Sequence, residues 1–221
     1  MQADDIYAEV QEKGYSIFDI SPETKENLTK TNLLELTDGF YIDQHEHRSI
    51  FVSDSLLTEL QQKVKQECRN KYAYNDIFLS RVVEGGSKER YRTHYDSHIY
   101  TIVVPVLLPD TTEKNRGQLY LVPKMRKRPK IDLINMSTKL RAFQYRGEKN
   151  YNKLKKRDDY LEVDLEVGQA IMFEGMSCLH GNKQNDSIDK RITLISHLVD
   201  PFPNGAGAIM RRLRKLFKTR K

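Results

Sequence analysis

The apolar residues change period along the chain, and the changes mark its elements. Over residues 54–70, Leu56, Leu57, Leu60, Val64 and Cys68 recur at helical spacing. Ser21-Pro22-Glu23-Thr24 has the residue types of a helix start, with Ser21 as cap and Pro22 in the first turn. Residues 77–83 are apolar and β-branched and are broken by Gly85-Gly86, which predicts a strand. Residues 100–108 form another apolar run, and residues 169–173, entered through a turn at Gly168, predict a mostly buried strand that delivers the chain to Leu179-His180-Gly181. Residues 191–198 alternate and predict a last strand. Residues 1–75 are expected to be a helical, loop-rich flank that buttresses one face of the sheet.

The 221 residues and 25.9 kDa suit one domain over residues 1–208, large enough for a real core. No apolar run approaches the roughly 20 residues that a spanning helix needs, and the first residues resemble no leader peptide. Cys68 and Cys178 have no zinc spacing and form no disulfide framework, which agrees with a reducing, cytoplasmic setting. Cys178, two residues before His180, is read as packing.

Candidate chemistry centres on Tyr91-Arg92-Thr93-His94-Tyr95-Asp96. If His94 and Asp96 share a strand, the period of two points both side chains to one face, so an imidazole and a carboxylate converge. Two histidines and one carboxylate form the facial triad that holds non-haem Fe(II), and His180 is the candidate third member. On the last strand Arg191 and Thr193 would share a face, where a guanidinium fork beside a hydroxyl can grip a carboxylate. His45 and His47 sit in a uniformly polar run with no third partner and are read as a solvated loop. His98 continues the alternation of His94 and Asp96 and is read as a wall histidine.

In order along the chain stand His94-x-Asp96, residues 117–123, residues 168–173, His180 and Arg191-x-Thr193. From about residue 76 to 201 this series resembles the Fe(II)- and 2-oxoglutarate-dependent oxygenases. The resemblance implies an α+β, mainly β fold: a double-stranded β-helix (jelly-roll, cupin-like) core with flanking N-terminal helices. It further implies that His94, Asp96 and His180 bind iron, that Arg191 pairs with the far carboxylate of 2-oxoglutarate with help from Thr193, and that ascorbate is a candidate accessory. Arg81, Tyr91 and Arg92 are available for a polar role near the oxo-acid. Such enzymes activate dioxygen, decarboxylate 2-oxoglutarate to succinate and hydroxylate a C–H; halogenating relatives lack the carboxylate that Asp96 supplies.

Charge adds a substrate expectation. Residues 124–157 hold 13 Lys and Arg against two acids, and residues 209–221 hold seven bases and no acid, while the whole chain is only +6. The first segment is an insertion between the expected metal ligands, with Phe143, Tyr145 and Tyr151 interleaved, and is read as a binding lid that enriches anionic substrate. In the second, Ile209, Met210, Leu213, Leu216 and Phe217 form one stripe of a basic amphipathic C-terminal helix, the pattern of an element lying on a membrane surface. Together they suggest an enzyme peripheral on the inner face of the cytoplasmic membrane that hydroxylates an anionic glycolipid sugar, similar to the Kdo 3-hydroxylase group that acts on lipopolysaccharide. A phytanoyl-type or other small-molecule oxygenase is an alternative. A protein hydroxylase fits less well, because that branch commonly uses lysine where Arg191 stands, although Lys190 is adjacent. A non-catalytic, basic nucleic-acid-binding protein is the alternative from another class, and no specific nucleic acid is expected.

Overall fold

The computed structural model describes residues 1–30, 36–42, 45–68, 76–85, 91–110 and 115–205. The proposed C-terminal helix at 209–221 lies outside them. No helix among the described residues is long and apolar enough to cross a membrane.

Strands β1 (Tyr15–Asp19), β2 (Gly39–Ile42), β3 (Ile77–Val83), β4 (Tyr100–Leu107), β7 (Gln169–Phe173) and β9 (Arg191–Leu198) form an antiparallel sheet in the order β1-β7-β4-β9-β3-β2. Strands β5 (Leu119–Val122), β6 (Leu161–Val163) and β8 (Leu179–Asn182) form the opposing sheet, in the order β6-β5-β8. The segment around His94 adds to its open edge through a bridge to His180. From β3 onward the chain passes to the small sheet and back, which is the winding of a double-stranded β-helix.

Strand β4 is buried along nearly its whole length, as a central strand with both faces covered must be. Pro105 has no N–H to give a neighbour, and the register with β9 shifts between Pro105 and Leu107. One face of the large sheet carries Ile102, Val104, Ile192 and Leu194 against helices α1 (Ala3–Lys13) and α4 (Ser55–Cys68), whose Ile6, Val10, Leu57, Leu60 and Val64 are fully buried. Each such side chain contributes about 1.5–3 kcal/mol. The other face, with Val103, Ile171 and Phe173, meets Leu119, Leu121 and Val163 of the small sheet.

The N-terminal region does more than buttress. It supplies both edges of the large sheet, β1 beside β7 and β2 beside β3. Strand β1 escapes a periodicity reading because its five residues directly follow Gly14, which ends α1 in the left-handed conformation at φ 91°. Helix α2 (Pro22–Thr29) starts as expected, with Ser21 Oγ accepting from the Thr24 N–H at 3.1 Å. Asp54 caps α4, its Oδ1 accepting from the Leu57 N–H at 3.0 Å. Residues 45–47 are not a loop: they open helix α3 (His45–Ser53).

The basic insertion is folded. It contains α5 (Asp132–Arg141), a 3₁₀ turn (Ala142–Tyr145) and α6 (Glu148–Leu154). Ala142, Tyr151 and Leu154 pack with Tyr91, Tyr95, Tyr120, Val122 and Leu179 in a core of their own. Tyr151 is therefore structural, its ring 4.6 Å from Tyr91 and 5.0 Å from Tyr120. Phe143 alone of the three aromatics is exposed, with the Arg146 guanidinium 3.8 Å above it.

Candidate metal centre

His94 and His180 face each other as a hydrogen-bonded antiparallel pair. The His94 N–H donates to the His180 carbonyl at 2.8 Å, and the His180 N–H donates to the His94 carbonyl at 3.0 Å. Side chains opposite each other in such a pair emerge on the same side, so the pairing itself brings the imidazoles together, with ring centroids 4.4 Å apart. His94 and Asp96 belong to an irregular extended segment, not to a regular strand. Asp96 is tied down separately, its N–H donating to the Gly175 carbonyl at 2.9 Å.

One ligand atom from each of His94, Asp96 and His180 lies within 4.8 Å of the others. His94 Nε2 stands 3.5 Å from Asp96 Oδ1, and His180 Nε2 stands 3.3 Å from Asp96 Oδ2. Each ring's far nitrogen is held by a carbonyl: His94 Nδ1 by Arg92 at 2.8 Å and His180 Nδ1 by Cys178 at 3.0 Å. A carbonyl only accepts, so both Nδ1 atoms carry a proton, and it is the Nε2 atoms that face the centre: protonated they donate to Asp96, and deprotonated they would offer lone pairs to a metal. Burial pushes the Asp96 carboxyl up, but the neighbouring His180 and His197 and the hydrogen bonds from His180 and His94 outweigh it and hold the group well below its ordinary range. Burial likewise pushes His180 down, and Asp96 more than reverses it. Two imidazole nitrogens and an ionised carboxylate on one side of a point fit a transition metal that keeps open positions.

Two residues at this centre stand outside the sequence reading. Thr101 Oγ1 donates to Asp96 Oδ2 at 2.6 Å and lies 3.0 Å from His197 Nδ1. Position 197 has the parity of 191 and 193 on β9, so the alternation that places Arg191 and Thr193 also places His197 on the inner face. Thr101 is its partner in the β4–β9 register. Gly175 has to be glycine: a Cβ there would stand 2.6 Å from Thr101 Oγ1 and 2.7 Å from Asp96 Oδ2. Replacing Thr101 by isosteric valine frees Asp96 Oδ2 and is expected to weaken Fe(II) binding by about 10–100-fold, read by anaerobic titration, without altering the circular dichroism spectrum.

His98 is buried and stacks on His197 at 5.3 Å, outside the ligand group. Burial beside Asp96 and Glu174 pushes the Cys178 thiol far up, so it stays protonated and packs.

Arg191 and Thr193 are buried on the inner face of β9, with Arg81 opposite Thr193 in the register. The residues lining the cavity at Arg191 include Pro105, Gln118, Leu119, Leu165 and the acidic Asp164. Burial, with Arg81 adding to it and Asp164 opposing it only in part, pushes the Arg191 guanidinium down to about 10. Its neighbour Arg116 is neutralised by Asp164 at 2.9 Å and Glu166 at 2.7 Å. Arg191 has no hydrogen bond or ion pair among the described residues. Of the other candidates, Tyr91 is buried in the aromatic core and Arg92 is exposed, contributing its carbonyl to His94. Lys190 points away, its Nζ donating to the Leu36 carbonyl at 3.3 Å.

No protein-family model and no curated protein matches the chain. Solved structures do. A prolyl-4-hydroxylase of Pseudomonas putida is similar over 90% of this chain and 98% of its own, at 12% identity and a TM-score of 0.58. EctD from S. alaskensis, solved with bound Fe, is similar over 89% of this chain and 76% of its own, at 14% identity and a TM-score of 0.58. The non-heme alpha ketoglutarate dependent carbocyclase SnoK is similar over 90% of this chain and 86% of its own, at 13% identity and a TM-score of 0.52. The chain shares the fold of these structures. At this identity the likeness concerns the fold, and the chemistry is argued from the residues.

Proposed function

We propose that the chain is an Fe(II)- and 2-oxoglutarate-dependent dioxygenase that hydroxylates a C–H of an anionic substrate. One observation carries the reading: three metal-ligand atoms converge on the fold's inner side, which also holds the buried Arg191 guanidinium, without a hydrogen bond or ion pair among the described residues. His94, Asp96 and His180 would hold the iron, and Arg191, with Thr193, would grip the far carboxylate of 2-oxoglutarate. Iron with the oxo-acid supplies the activation of dioxygen and the oxidation of the C–H, the oxo-acid leaving as succinate and carbon dioxide. The chain's own work is to present three ligand atoms from one side, to keep Nδ1 of both histidines protonated, and to hold Asp96 ionised through Thr101 and the histidines.

The finer reading is that the substrate is an anionic sugar of a membrane glycolipid, such as Kdo. It is supported by where charge stands. Lys139, from α5 of the basic insertion, donates from Nζ to Ser97 Oγ at 2.6 Å, one residue beyond Asp96, so a cation reaches the rim of the centre. The inward Arg191 and outward Lys190 speak against a lysine-type clamp. The test is incubation with Fe(II), 2-oxoglutarate and lipid A-core extract, beside a neutral sugar and a proline peptide. The expected result is a gain of one oxygen on the anionic sugar coupled to succinate. Lys139→Ala should raise its KM roughly tenfold and leave uncoupled succinate formation unchanged. Oxidation of the peptide alone would overturn the substrate assignment.

A further inference from the structure

Helix α5 is turned inside out. Toward the protein it presents polar side chains: Asn135 is 4% exposed and accepts from Arg126 at 3.0 Å, and Thr138 also bonds to Arg126. Toward solvent it presents apolar ones. Leu133 is 74% exposed, Leu140 62%, Ile131 53%, Phe143 49% and Ile134 48%. These are five of the nine exposed large hydrophobics among the described residues, gathered within 13 positions, so they form a patch. Positions 133, 134, 137 and 140 share one face of a helix. Exposed Lys127, Lys130 and Arg141 flank these residues along the chain.

Three occupants could cover it. A second copy would bring the same flanking bases against these, and residues 209–221 carry seven bases and no acid, so both meet repulsion. An anionic bilayer meets none: apolar side chains enter the boundary between headgroups and acyl chains, and bases lie at the level of the phosphates. The described chain also ends beside this helix, where a Cβ on Gly205 would collide with the carboxylate of Asp132 at the start of α5. Residue 205, the last described position before the basic, apolar-striped sequence, therefore lies beside α5.

We propose that the exposed face of α5 is a membrane-docking surface for anionic lipid. It is additional to the membrane role expected of residues 209–221 and stands whether or not the chain turns over 2-oxoglutarate. Through Lys139 at Ser97, the docked helix adjoins the rim of the metal centre.

The sequence has no tryptophan, so Leu140→Trp in the full chain gives a single indole reporter. With phosphatidylcholine vesicles containing phosphatidylglycerol, its emission should shift to the blue and be quenched by lipids brominated on the acyl chains. With phosphatidylcholine alone it should stay at its solvent position. The double variant Leu133→Ser, Leu140→Ser should lower flotation with anionic vesicles at least about tenfold and retain Fe(II) as the wild type does. An indole that stays in water while the protein floats would mean that the tail alone binds, and would overturn the proposal. A blue shift without lipid that grows with protein concentration would assign the face to a second copy, and would equally overturn it.

Discussion

Asp96→Ala is expected to abolish stoichiometric Fe(II) binding. Losing an outer partner of a metal ligand already costs about 10–100-fold in affinity, so losing the carboxylate itself should cost at least about 100-fold. The substitution has a second readout that needs no metal. His180 sits above its ordinary pKa chiefly because Asp96 overrides the effect of burial; without Asp96, burial and Lys139 are opposed only by the hydrogen bond to the Cys178 carbonyl, and the imidazole should titrate below that value. Nuclear magnetic resonance titration of the metal-free protein follows this directly. An Asp96→Ala chain that keeps Fe(II) at wild-type affinity would place the metal elsewhere.

Arg191→Met should separate binding from stability. A buried guanidinium without an ion pair costs desolvation that the charge of Asp164, itself paired with Arg116, repays only in part, and Arg81 adds repulsion. Methionine fills much of the same volume without charge. In the absence of 2-oxoglutarate the variant should be more stable by about 1 kcal/mol or more, a rise of roughly 2–4 °C in Tm for each kcal/mol. Its 2-oxoglutarate requirement should rise roughly 100-fold or more, because the ligand's carboxylate then has no cation to meet, while Fe(II) binding stays intact. A merely structural arginine would give the opposite pair: lower stability and an unchanged 2-oxoglutarate requirement.

The sequence was most legible where one physical rule dominates. Strands β3, β7 and β9 begin and end where apolar runs meet glycine or polar residues, because burial decides them. His94, Asp96 and His180 are brought together as their spacing suggests, yet through a cross-strand pair and an irregular segment instead of one strand. The edge strands β1 and β2 were not legible, since four or five residues give too short a pattern to separate a strand from a loop. The basic insertion hid its helices for another reason. On α5 the usual relation is reversed, with Asn135 inside and Leu133 outside, so polarity misreports which face is covered. His197 and Thr101 were within reach of the alternation on β9 and of strand register. What the sequence does not carry is the pairing that sets Thr101 against His197, and with it the second hold on Asp96.

The most direct test of the central claim is an anaerobic titration of the full chain with Fe(II) and then 2-oxoglutarate, followed in the visible spectrum. The account predicts one Fe(II) per chain and a weak charge-transfer band when 2-oxoglutarate is added, with the band lost in Asp96→Ala and the iron retained in Arg191→Met. A wild-type protein that stays colourless, or that holds no Fe(II), would contradict it.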